Sequence, residues 1–150
     1  MKRVIYAIFV ISILIIMYTF SSQSSRDSNK LSKSIINGSI ELYKVISHKE
    51  VNNTKVINKY NVYLRKIAHF TEFFILAIFV FLLLDTTNIN KKTIICILVC
   101  FVFACLDEIH QYYNGSRDPR MLDVIIDTSG AITAMIVLLK FKIIEKKHIN

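Results

Sequence analysis

The sequence predicts an all-α integral membrane protein: a four-helix up-and-down bundle with a long polar loop between spans 1 and 2. Three observations predict it. Hydrophobic residues make up 53% of the 150 and collect in four blocks, residues 4–20, 67–84, 93–106 and 121–139. Only three Gly and one Pro occur in the chain, so little would break a helix. Polar clusters fall at the end of the first and third blocks and at the start of the second and fourth, which an up-down bundle brings to one side. A helix rises about 1.5 Å per residue and the hydrocarbon core is about 30 Å thick, so a span needs roughly 20 residues. The first and last blocks nearly suffice alone. The middle two reach that length only with flanking polar residues at membrane depth. The expected spans are about 4–20, 65–84, 93–110 and 121–139, in a single domain of residues 1–150.

Span 1 has the basic start and apolar run of a signal peptide, but "SSQSSRDS" offers no small-x-small cleavage site, so it reads as an uncleaved span. The connection to residue 63 is polar. Within it Leu31, Ile35, Leu42, Val45 and Ile46 form a broken stripe suited to an interfacial segment, which Asn37-Gly38 should interrupt. "VNNTKVINKYN" reads as solvated loop. Span 2 opens with Arg65, His69 and Glu72 on one helix stripe. "DTTNINKK" is a short turn. Span 3 ends in "DEIHQYY", with Asp107, His110 and Gln111 on one stripe and Glu108 pointing aside. "NGSRDPR" turns the chain. Span 4 carries Arg120, Asp123 and Asp127 on a stripe that continues to Gly130 and Ala134, a small-xxx-small pair that admits a close helix neighbour.

The formal charge of +8 comes from Lys and Arg between and beyond the blocks. It marks topology and anionic lipid, and no nucleic-acid partner is expected. Cys96, Cys100 and Cys105 lie in or beside the third block and read as packing residues. No HExxH or CxxC spacing is present, so no metal and no cofactor are expected.

The polar residues gather into one patch. The ligand-binding candidates are Arg65, His69, Glu72, Asp107, Glu108, His110, Gln111, Arg117, Asp123 and Asp127. Glu72, Asp107, His69 and His110 are the acid–base candidates. A charged group inside a span costs roughly 2.5–3.5 kcal/mol on insertion scales, so these groups must pair or line a wet cavity. An ion-pair cluster that fixes helix register and a functional pocket are the two readings.

"FSSQ" (20–23), "RKIAHFTEF" (65–73), "DEIHQYY" (107–113), Arg117 and "DVIIDTSGA" (123–131) resemble the VanZ-like family of small bacterial membrane proteins, in order and spacing over nearly the whole chain. Phe73 stands where Tyr is usual, Gly115-Ser116 where Pro-Gly is expected, and Ala134 where Gly is frequent. The resemblance implies a multi-pass protein of the bacterial cell envelope and a link to resistance against the glycopeptide teicoplanin, rather than a defined reaction. The expected function is binding of an amphiphilic ligand at the outer face of the membrane. Membrane lipids, a lipid-linked cell-wall precursor or a lipoglycopeptide are the candidate partners. The alternative is an intramembrane lipid headgroup hydrolase or transferase, with Glu72 or Asp107 as base and His69 or His110 as its proton partner.

Orientation follows from charge. Lys2, Arg3, Lys91, Lys92, Lys140, Lys142, Lys146 and Lys147 flank one side, and eleven of the 19 Lys and Arg flank the other. The raw count opposes cytoplasmic termini, but nine of those eleven lie between Arg26 and Lys66, in or at the end of the long connection, where charge steers insertion less. That lessening is partial, because the loop is shorter than the roughly 60 residues beyond which charge matters little. The basic N-terminus, the short second loop and the tail therefore set both termini on the cytoplasmic side. A reporter fused after Asn150 is expected to be active only in the cytoplasm; activity only outside the cell reverses the orientation.

Overall fold

The computed structural model describes residues 1–22, 33–42, 46, 53–114 and 120–149. Its helices are α1 (Lys2–Ser21), α2 (33–42), α3 (Asn53–Asp85), α4 (Lys92–Tyr113) and α5 (Met121–Ile149). No strand occurs among the described residues. Four stretches are long and apolar enough to cross a membrane: Lys2–Ser21, Tyr63–Asp85, Lys92–Tyr113 and Met121–Phe141. Spans 2 and 3 therefore do extend over their polar ends, where His69, Glu72, Asp107 and His110 sit.

The expected interruption at Asn37-Gly38 and the loop expected at 53–61 are corrected. Residues 33–42 stay helical through Asn37-Gly38, and its buried side chains are Ile36 and Ile40, while Ile35 and Leu42 are exposed. The inward pair is four residues apart, one helical turn, while Ile35, Leu42 and Ile46 of the stripe read in the sequence stay on the exposed side. Leu31 and Val45 lie outside the described residues. Residues 53–61, read as solvated loop, are the first turns of α3. No Pro or Gly interrupts that stretch, so the helix of span 2 continues backward out of the apolar block.

The core is built by small residues on facing stripes. On α4 the buried positions are Cys96, Cys100, Ala104, Glu108 and Gln111. The lipid-facing side of the same helix shows Ile94, Leu98, Phe101, Val102 and Ile109. Cys96 Sγ donates to the Ala77 carbonyl of α3 at 3.3 Å, so both buried cysteines face helices rather than lipid. The most extensive interface joins α3 to α5. There Gly130 presents no side chain, and Ala131 and Ala134 are fully buried beside Phe73, Leu76 and Ala77. Helix α1 is peripheral. It packs mainly on α3, with Phe9 stacked on Phe79 at 4.7 Å, and it barely touches α4.

Several hydroxyls within the spans are satisfied locally, as hydrocarbon requires. Thr86 and Thr87 hydroxyls donate to the Leu83 and Leu84 carbonyls at the end of α3. The turn to α4 closes on Lys91 in the left-handed conformation (φ 59°) and on the Lys92–Asp85 ion pair at 3.1 Å. Thr71, Thr128, Ser129 and Thr133 each donate to a carbonyl one turn back.

A Cβ added at Gly130 would fall onto the Phe70 carbonyl oxygen, with the Phe74 nitrogen 3.3 Å away. Relief requires the helices to part, because the obstacle is backbone. Gly130→Ala is expected to destabilise the bundle by about 1–3 kcal/mol or more, the usual range for overpacking. Lipid-facing Ile132→Ala should stay well below that. Thermal unfolding in detergent, with membrane abundance alongside, measures the difference.

Candidate functional site

The C-terminal ends of α1 and α4, the start of α5 and the middle of α3 come together on one side of the bundle, and the polar stripes meet there. The close crossing at Gly130 sets His69, next to Phe70 on α3, against Asp127 on α5. His69 Nδ1 lies 3.6 Å from Asp127 Oδ1, and the Asp127 side chain is 0% exposed. Neither Asp127 oxygen accepts a hydrogen bond among the described residues. Asp107 of α4 completes the group: one ligand-type atom each from His69, Asp107 and Asp127 lie within 4.8 Å of one another, a set that could hold a metal ion. Asp107 is held from its own helix, since Gln111 Nε2 donates to Asp107 Oδ2 at 2.7 Å.

Glu108 does not point aside. It is 5% exposed and its Oε2 accepts the Arg120 backbone N–H at 2.8 Å, directly before α5. A carboxylate there satisfies an orphan donor and complements the positive end of the helix dipole. Asp123, also buried, adds a second carboxylate in the first turn of α5. Arg65 is half-buried within electrostatic reach of Asp123, Glu108 and Arg120. Glu72 is half-buried and senses the charge of Asp107 across the α3–α4 seam. Arg120 itself is exposed and precedes the helix, so it does not share the inward stripe of Asp123 and Asp127.

His110 leaves the group formed by Asp107 and Gln111. Its Nε2 lies 2.9 Å from Ser22 Oγ and 2.7 Å from Asn114 Nδ2, and its ring packs on Tyr18 at 4.5 Å. It therefore ties the end of α4 to the end of α1. Arg117 lies outside the described residues, as does Gln23. Both imidazoles reach across to another helix, His69 to Asp127 of α5 and His110 to Ser22 at the end of α1. Ser129 and Ser22 hydroxyls are already given to the Ile126 and Tyr18 carbonyls.

One feature had no signal in the sequence. Leu14, Met17 and Tyr18 of α1 and Phe103 and Leu106 of α4 line an open cleft of about 350 Å³, and Asp107 and His110 stand in the same lining. It exists because α1 and α4 hardly touch. The inward position of Glu108, by contrast, was there to be read: stepping by four from Cys96 through Cys100 and Ala104 reaches it.

No curated protein and no solved structure matches the chain. The family comparison does: residues 4–143 match VanZ/LLP1, across all four spans and every described residue of the patch. This chain of four apolar helices with its polar end-cluster belongs to the VanZ/LLP1 family.

Proposed function

We propose that the protein binds a membrane amphiphile, with the acyl part in the α1–α4 cleft and the polar head at the patch. The observation that carries this is the composition of the cleft. Five of its seven lining residues are Leu14, Met17, Tyr18, Phe103 and Leu106, and the other two, Asp107 and His110, are polar. A chain sheltered there by apolar side chains has its head delivered to hydrogen-bonding groups. Arg65 and Arg120, near Asp123 and Glu108, offer guanidinium groups suited to a phosphate or carboxylate. Phospholipids, a lipid-linked cell-wall precursor and a lipoglycopeptide all share that chemistry.

The proposal includes location and role. The protein resides in the bacterial cell membrane with both termini cytoplasmic, so the patch faces outward, where wall precursors and glycopeptides are met. Family membership supports a part in susceptibility to teicoplanin. The basic start of α1 supports the orientation.

Two experiments test this reading. Leu14→Trp and Phe103→Trp narrow the cleft without touching the patch. Native mass spectrometry of the purified proteins should show lipid retention reduced by about tenfold, since excluding two methylene groups at about 0.8 kcal/mol each exceeds the 1.4 kcal/mol required. Retention equal to the parent protein removes the cleft from the proposal. Glu72→Gln and Asp107→Asn keep side-chain shape and should keep normal membrane levels while losing any teicoplanin phenotype. Phenotype falling only in step with membrane abundance would make the patch a structural staple.

A further inference from the structure

The triad His69, Asp107 and Asp127 raises a question that binding an amphiphile does not answer. Asp127 is 0% exposed and both of its oxygens lack a hydrogen bond among the described residues. A buried carboxylate in that state is costly unless something compensates it. The His69 contact is too long to do so as a hydrogen bond: 3.6 Å exceeds the 2.7–3.2 Å range of N–H···O bonds. It is, however, the separation of two ligands on one ion. Bonds of about 2.0–2.2 Å in a tetrahedral zinc site place neighbouring ligand atoms about 3.3–3.6 Å apart.

We propose that His69, Asp107 and Asp127 form a three-ligand site for a divalent transition-metal ion of the Zn²⁺ class. Three different helices supply the ligands: α3, α4 and α5. Their atoms already stand within 4.8 Å of one another, so a small inward movement closes the site. One neutral imidazole and two carboxylates balance a 2+ charge, which suits a group buried at membrane depth. Further carboxylates at Glu72, Glu108 and Asp123 add negative potential at Asp127 and favour a cation there. Gln111, bonded to Asp107 Oδ2, plays the part of an outer group that orients a ligand. Three protein ligands leave a position open, as in zinc sites that also bind water or a ligand. Asp107 also lines the α1–α4 cleft, so the ion would stand beside its polar end. The inference does not rest on the amphiphile reading, because the triad is complete without an occupant in the cleft.

The test uses the full chain purified in detergent, loaded with Zn²⁺, dialysed against metal-free buffer and analysed for metal per chain. Co²⁺ loading gives a second readout in the intensity of its visible absorption bands, which are strong for four-coordinate sites. The parent protein should retain one ion per chain, and Cys105→Ala should match it. His69→Ala, Asp107→Asn and Asp127→Asn should lose the ion while keeping helical content, and Gln111→Ala should weaken affinity by about 10- to 100-fold. Lipid retained by the same samples is measured in parallel, so loss of metal with lipid unchanged separates this site from the cleft. A parent protein that retains no Zn²⁺ and shows no Co²⁺ bands overturns the proposal. Equal loss in Glu72→Gln would mean a diffuse carboxylate cluster and also overturns the three-ligand assignment.

Discussion

Helices α3 and α5 cross with backbone against backbone at Gly130, where even a methyl group would meet the Phe70 carbonyl. Most of the polar patch takes its position from that crossing. His69 immediately precedes Phe70, and Asp127 lies almost one turn before Gly130. Bringing the two backbones together therefore brings the imidazole and the buried carboxylate together as well. Fully buried Ala131 and Ala134 keep the approach close further along α5. In lipid no hydrophobic effect drives helices together, so close packing and polar contacts must hold the bundle. This interface supplies both within a few residues.

Helix α4 adds the third element in a different way. Its inward stripe begins with small residues, Cys96, Cys100 and Ala104, and ends with Glu108 and Gln111. Small residues let α4 settle on the α3–α5 pair. The polar end of the stripe then caps α5 through Glu108 and fixes Asp107 through Gln111. A charge within a span costs a few kcal/mol on insertion scales. Here that cost falls on groups that orient helices and each other, which explains why the middle spans can carry polar ends at membrane depth.

Helix α1 stands apart from this economy of small residues. Its long apolar side chains are largely exposed to the surroundings, and its link to α4 is polar, through Ser22 and Tyr18 to His110. Bulky side chains on both helices and a contact confined to one end leave the seam open below it. That opening is the cleft, so the arrangement that makes α1 peripheral also leaves an apolar recess beside Asp107 and His110.

The four blocks of hydrophobic residues determined the number, order and approximate limits of the spans, because transfer of a helix into hydrocarbon depends first on the length and apolar composition of the segment. The clustering of polar groups at like ends determined that Arg65, His69, Glu72, Asp107, Glu108, Asp123 and Asp127 would share one side of the bundle. The continued helix through 53–61 was harder to read, since its apolar content is low and only the absence of breakers marked it. Tertiary structure alone decided which polar group meets which. Within a helix the spacing of residues fixes neighbours, and it suggested Glu72 with His69 and Asp107 with His110. Across helices the rotation of each about its axis decides, and that rotation is set by where small residues allow backbones to touch. Gly130, Cys100 and Ala104 turned His69 to Asp127 and Glu108 inward, while His110 was left to α1.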